Sequence, residues 1–160
     1  MLYISFFRTA HIVADHFHFV RYACDAVNAI REERRYFKHS RKLLLSRYCN
    51  LKYDEQKDEL SYILTNYSEN LRIAYREKEE LLDIIHSDYS SEVKIKQFRD
   101  WVFRNLESDI PQLKSCAQTY HHWYTNIVNS LKVPYSNGPT EGFNNKHVLI
   151  TYFSVIFMFL

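Results

Sequence analysis

Two carboxylates stand where a fold could use them for chemistry. Asp15 closes the short apolar run Ala10-His11-Ile12-Val13-Ala14-Asp15. Glu141 follows the densest group of turn formers in the chain, Tyr135-Ser136-Asn137-Gly138-Pro139-Thr140, where both Asn137 and Gly138 accept positive φ. By length and β-branching the first run reads as a buried strand. The carboxyl end of a strand is where open α/β sheets hold their ligands. If the fold brings Asp15 and Glu141 together, the ligand suited to them is a hard divalent cation. Mg²⁺ takes oxygen ligands and is held by one or two carboxylates plus a substrate phosphate. Two such ions about 4 Å apart activate water or a DNA 3′-hydroxyl and stabilise the leaving oxygen. A site of that kind uses further carboxylates, so this pair is one short. Each acid also has a structural reading: Asp15 as a helix N-cap, and Glu141 as an acid in a first helical turn, favoured by the helix dipole.

A second group of residues suits phosphate rather than metal. Arg31, Arg34, Arg35, Lys38, Arg41, Lys42 and Arg47 crowd into Arg31–Arg47 against only Glu32 and Glu33, and such a cluster can hold a nucleic-acid backbone. A solvated helical face is the alternative. Asn144, Asn145 and Lys146 follow Glu141. Carboxamides read adenine edges or phosphates, and lysine neutralises phosphate; a helix C-cap or solvated surface is the alternative there. The net charge of +2 and the pI of about 8.4 do not by themselves indicate DNA binding. Trp123 could stack on a base, but a core position is the better reading. His121 and His122 beside it read as helix surface. His11, His16 and His18 lack the partners that would complete a zinc site. No Walker loop, GxGxxG, HExxH or GxSxG motif is present, so nothing suggests nucleotide binding, a zinc protease or a serine hydrolase.

The elements that must position these residues are mostly helical. The chain has 160 residues with only 2 glycines and 3 prolines, which implies long helices and few tight turns. Phe19, Tyr22, Ala23, Ala26, Val27 and Ile30 make one helical face from about residue 17. Leu43, Leu44, Leu45 and Tyr48 predict a short helix. Asp54 caps the next, striped by Leu60, Ile63, Leu64 and Tyr67. Ser68 caps a longer one with Leu71, Ala74, Tyr75, Leu81, Leu82 and Ile85 inside. Arg76 to Glu80 lie mainly outside it, with Arg76–Glu80 as a charge pair. After a break at Ser87–Ser90, a helix buries Val93, Ile95, Phe98, Trp101, Val102 and Leu106. Pro111 begins a long helix through Leu131. The apolar stretch Val148–Leu160 is shorter than the about 20 residues a membrane span takes, so no membrane partner is expected. Cys24, Cys49 and Cys116, without CxxC spacing, fit a reducing compartment. No signal peptide is read at the start, and a cytoplasmic location is expected.

The segment Ile12-Val13-Ala14-Asp15-His16-Phe17-His18-Phe19-Val20-Arg21-Tyr22, then Trp123-Tyr124, Asn129-Ser130 and Tyr135 through Lys146, resembles the catalytic domain of ISL3-family insertion-sequence transposases. Ser40-Arg41-Lys42-Leu43-Leu44 and Ala74-Tyr75-Arg76-Glu77-Lys78-Glu79 also resemble that family, and the resemblance covers residues 10–147. It implies a DDE transposase. The fold class expected is mostly α, with a truncated RNase H-like α/β core (one core strand) and a large all-helical insertion. Asp15 would match the second catalytic Asp, and Glu141 the catalytic Glu. Both would be metal ligands for Mg²⁺ or Mn²⁺. The family cuts DNA at the ends of its element and joins them to a target, so the partners implied are terminal inverted repeats and target DNA, with a homo-oligomer in the intact family. No Asp or Glu occurs in Met1–Thr9 to match the first catalytic Asp. The expectation is thus a partial catalytic domain over residues 1–147, inactive alone, followed by an apolar non-family tail at 148–160 that reads either as a buried strand or as a frameshift-derived end. The alternative is a noncatalytic helical DNA-binding or protein-interaction module.

Overall fold

A computed structural model of the chain describes residues 16–33 and 40–132. The helices are α1 (His16–Glu32), α2 (Arg41–Leu45), α3 (Asp54–Asn66), α4 (Glu69–His86), α5 (Ser91–Leu106), α6 (Pro111–His122) and α7 (Tyr124–Lys132), with a 3-10 turn at Tyr48–Asn50. No β-strand occurs among the described residues. The expected fold class, an RNase H-like α/β core carrying a helical insertion, is therefore corrected to an all-α body. Every helix buries its apolar stripe on another helix, so the core closes without a sheet. The run Ala10–Asp15, read as a core strand, lies outside the described residues.

Local chemistry sets most boundaries. Ser68 has extended backbone and its hydroxyl accepts from Leu71 N–H at 3.2 Å, which satisfies one of the donors that a helix start leaves free. Pro111 occupies the first turn of α6, where its missing N–H costs nothing. Asp54 lies just inside α3, one residue after the N-cap Tyr53. The long helix expected from Pro111 to Leu131 is two helices, separated at Trp123. Trp123 is the C-cap of α6, with its N–H bonded to Thr119 O at 3.1 Å. Tyr120 and Ile127 stay buried on either side of the break.

α1 runs through the middle of the body, packed against α2, α4, α6 and α7. Two clusters fill the interior. One gathers Phe19, Ala23, Leu81, Phe98, Trp101, Val102, Tyr120 and Ile127 from α1, α4, α5, α6 and α7. The other gathers Val27, Ile30, Leu44, Leu60, Ile63, Leu71 and Leu113 from α1, α2, α3, α4 and α6. Each large side chain removed from water here contributes about 1.5–3 kcal/mol against the entropy of ordering it. α4 touches α1, α3 and α5. That three-sided packing widens its buried stripe beyond what a single-face period predicts. Glu77 and Lys78, expected mainly outside, are 4% and 1% exposed.

Candidate nucleic-acid interface

The basic cluster divides according to what holds each residue. Arg31 is buried. Its guanidinium donates to Asn28 Oδ1 and to Glu32 Oε1, both at 3.0 Å, so its charge is spent at the end of α1. Arg41 and Lys42, in contrast, are exposed on α2. Among the described residues neither pairs with a carboxylate. Arg34, Arg35 and Lys38 lie outside the described residues, as do Asn144, Asn145 and Lys146.

A helix as short as α2 is not stable by itself, and α4 holds it. Leu43 and Leu44 are buried where α2 packs on α1 and α3. Lys78 Nζ donates to Leu44 O and Ser46 O, at 2.8 Å each, and so satisfies carbonyls at the helix end. The same ammonium sits 2.7 Å from Glu79 Oε1 and 4.2 Å from the centre of the Tyr75 ring. Burial pushes its pKa down, with Glu79 pulling it back up. Two further contacts extend the clamp: Arg47 Nη2 donates to Asp83 Oδ1 at 2.7 Å, and Tyr48 N–H donates to Glu79 Oε2 at 3.0 Å. Contacts at positions 44, 46, 47 and 48 thus fix the segment that carries Arg41 and Lys42.

Behind the clamp lies an open groove of about 970 Å³, lined by charged residues including Arg47, Arg76, Glu80, Asp83, Asp100 and Arg104. Its charges answer one another: Arg47 bonds Asp83, and Arg104 Nη2 bonds Glu80 Oε2 at 2.6 Å. Arg104 also reaches the buried Glu77 Oε2 at 2.8 Å, as does Asn105 Nδ2 at 2.8 Å, while Trp101 Nε1 donates to Glu77 O at 2.9 Å. Glu77 is therefore a paired carboxylate joining α4 to α5. With carboxylates along its lining, the groove is the wrong wall for a phosphate backbone.

The catalytic reading does not describe this body. It required Asp15 and Glu141 together on a sheet core, with Mg²⁺ or Mn²⁺ between them. Both residues lie outside the described ones. Among the described residues there is no strand and no group of three or more His, Cys, Asp or Glu that could hold a metal ion.

Sequence reasoning misplaced more than one aromatic residue: Tyr22, read on the apolar face of α1, is 48% exposed. Trp123, read as core, is 50% exposed. Its position outside the Tyr120–Tyr124–Ile127 stripe was the available signal. His121 and His122 are exposed as expected.

An all-helical body with a clamped basic helix and a self-paired charged groove defines a class of scaffold rather than an activity. The family follows from the sequence match: the model for the DDE transposase family of the ISL3 type, described as "Transposase", matches residues 3–153, and the chain belongs to that family. Comparison with curated proteins and with solved structures returned no match. No helix among the described residues is long and apolar enough to cross a membrane.

Proposed function

We propose that this helical body is a noncatalytic DNA-binding module of the transposase family. The observation that carries this reading is the pair Arg41 and Lys42, exposed on a helix that α4 holds rigidly and without a carboxylate partner among the described residues. Fixed cations of this kind neutralise phosphates and displace condensed counterions. In this reading Arg34, Arg35, Lys38 and the Asn144-Asn145-Lys146 run add further backbone or base contacts, and Arg31 braces the end of α1. Family membership supports DNA as the partner class. The metal-dependent chemistry expected of the family belongs to its intact members.

The test is the affinity of the full chain for a random-sequence DNA duplex, followed by fluorescence anisotropy over a range of salt. The double variant Arg41→Gln/Lys42→Gln should flatten the log–log salt slope by about two and weaken binding evenly across sequences. An unchanged slope, or no binding by the parent chain at low salt, would reject the proposal.

A further inference from the structure

A second surface lies at the junction of α5, α6 and α7, remote in sequence from α2. Most large aromatic residues of these helices are buried: Phe98, Trp101 and Tyr120 are each 0% exposed. Phe103 and Trp123 break that rule at 53% and 50%. Each meets a histidine nearly at right angles. Phe103 and His121 have ring centres 6.1 Å apart at 72°, and His122 and Trp123 have centres 5.2 Å apart at 86°. Such an edge-to-face contact occupies the edge of one ring and one face of the other. Every ring of the two pairs therefore keeps at least one face that its own pair does not use. Sequence adjacency of His121, His122 and Trp123 joins the two pairs along the last turn of α6.

Cations adjoin the rings. Lys96 and Arg99 precede Phe103 by seven and four residues on α5, and all three are exposed, so they share one face of the helix. Arg99 is bonded to Asp100 at 3.2 Å, an exposed pair with both partners more than half accessible, and such pairs hold weakly. The groove residues Gln97, Asp100 and Arg104 fall on the neighbouring face of α5. α5 thus separates a carboxylate-lined wall from a face whose middle carries Lys96, Arg99 and Phe103, with the exposed Glu92 and Glu107 at its two ends.

We propose that Phe103, His121, His122 and Trp123 form a stacking platform for unpaired bases of single-stranded DNA, with Lys96 and Arg99 alongside its phosphates. Exposed aromatic side chains beside a helix face that carries cations match what a single strand offers: a π-face on every base and a charge between bases. Duplex DNA keeps its bases stacked inside, so it cannot use the rings. The platform rests on the reading of the body as a DNA-binding module, and it names a strand state that Arg41 and Lys42 do not distinguish.

Oligothymidylate and a duplex of equal length are the two probes for the full chain, read by anisotropy and by tryptophan emission. The parent chain should bind both, with oligothymidylate quenching its tryptophan emission. Trp123→Ala should lose about tenfold in affinity for oligothymidylate, lose the quenching while retaining Trp101, and hold its duplex affinity within about twofold. Trp123→Phe should recover most of the single-strand affinity, and an unchanged thermal melt for both variants shows that folding is intact. Duplex binding without single-strand binding, or single-strand binding indifferent to Trp123→Ala, overturns the platform alone. Failure to bind either probe overturns the platform and the DNA-binding reading together. Self-association of the parent chain that Trp123→Ala abolishes would assign the patch to a second copy and likewise overturn the proposal.

Discussion

Around α2 and α3 the interior is mostly aliphatic, with Leu44, Leu51, Leu60, Ile63, Leu71 and Leu113 packed together beside Tyr67 and Tyr75. Around α5, α6 and α7 it is aromatic, arranged about Tyr120. That ring has Trp101 at 5.6 Å, Phe98 at 6.0 Å and Phe19 at 6.2 Å, and its hydroxyl donates to Phe19 O. At the aliphatic end a polar group, the buried Lys78, bonds the carbonyls at the end of the short helix α2, which also packs on α1 and α3. The aromatic end holds itself through large interlocking rings and leaves Phe103 and Trp123 outside. The two ends also expose different side chains: cations on α2 at the mostly aliphatic end, and Phe103 and Trp123 at the aromatic end.

The largest test of this contrast is truncation of each core. Trp101→Ala should cost about 3–5 kcal/mol, and Leu60→Ala about 2–4 kcal/mol, in denaturant unfolding. The tryptophan loss should be the greater, because Glu77 O also loses its donor. Equal costs would mean that the aromatic end is no more interlocked than the aliphatic one.

Titration sharpens the contrast next. Burial pushes the Cys116 thiol up from 9.0 to about 12 and the Tyr120 phenol well above its ordinary value. The unfolded chain releases these protons first, so stability is fully present below pH 9.0 and falls as pH rises from 9.0 towards 12. Lys78 is shifted the other way, down from 10.5 by burial. In the range just below 10.5 the unfolded chain binds more protons than the folded one, so this group makes stability rise with pH. Cys116→Ala should shrink the alkaline fall, whereas Lys78→Met should steepen it by removing the opposing rise. Denaturation midpoints measured from pH 8 to 11 would check both, and identical pH profiles for the two variants would contradict the assignment. Smallest in effect, Ser68→Ala should cost about 1 kcal/mol through the lost cap on α4. Arg72→Ala, breaking an exposed pair with Glu69, should stay within about 0.5 kcal/mol. A reversed order of those two would overturn the capping account.

Much of the helical layout is legible in the residues. The Ser68 cap, Pro111 in a first turn and the stripe Leu60–Ile63–Tyr67 are local signals, and local hydrogen bonds enforce them. The buried charges are not legible. Glu77 meets Arg104 and Asn105, and Lys78 meets Leu44 and Ser46, only after helices distant in sequence pack together. A single-face period also underestimates a helix enclosed on three sides, as α4 is. The RNase H-like core was inferred from family resemblance, and the described residues build an all-helical body in its place. For the interface, the excess of cations was visible in the sequence. Whether a given one points outward, as Arg41 does, or is spent on Asn28 and Glu32, as Arg31 is, depends on packing.

On the proposed reading, α2, clamped by Lys78, presents the surface that meets duplex DNA. Amide hydrogen exchange of the full chain with and without a random-sequence duplex tests it most directly. Exchange over residues 41–47 should slow on adding DNA, with the α4–α5 groove unchanged. Protection in the groove with none in α2 would contradict it.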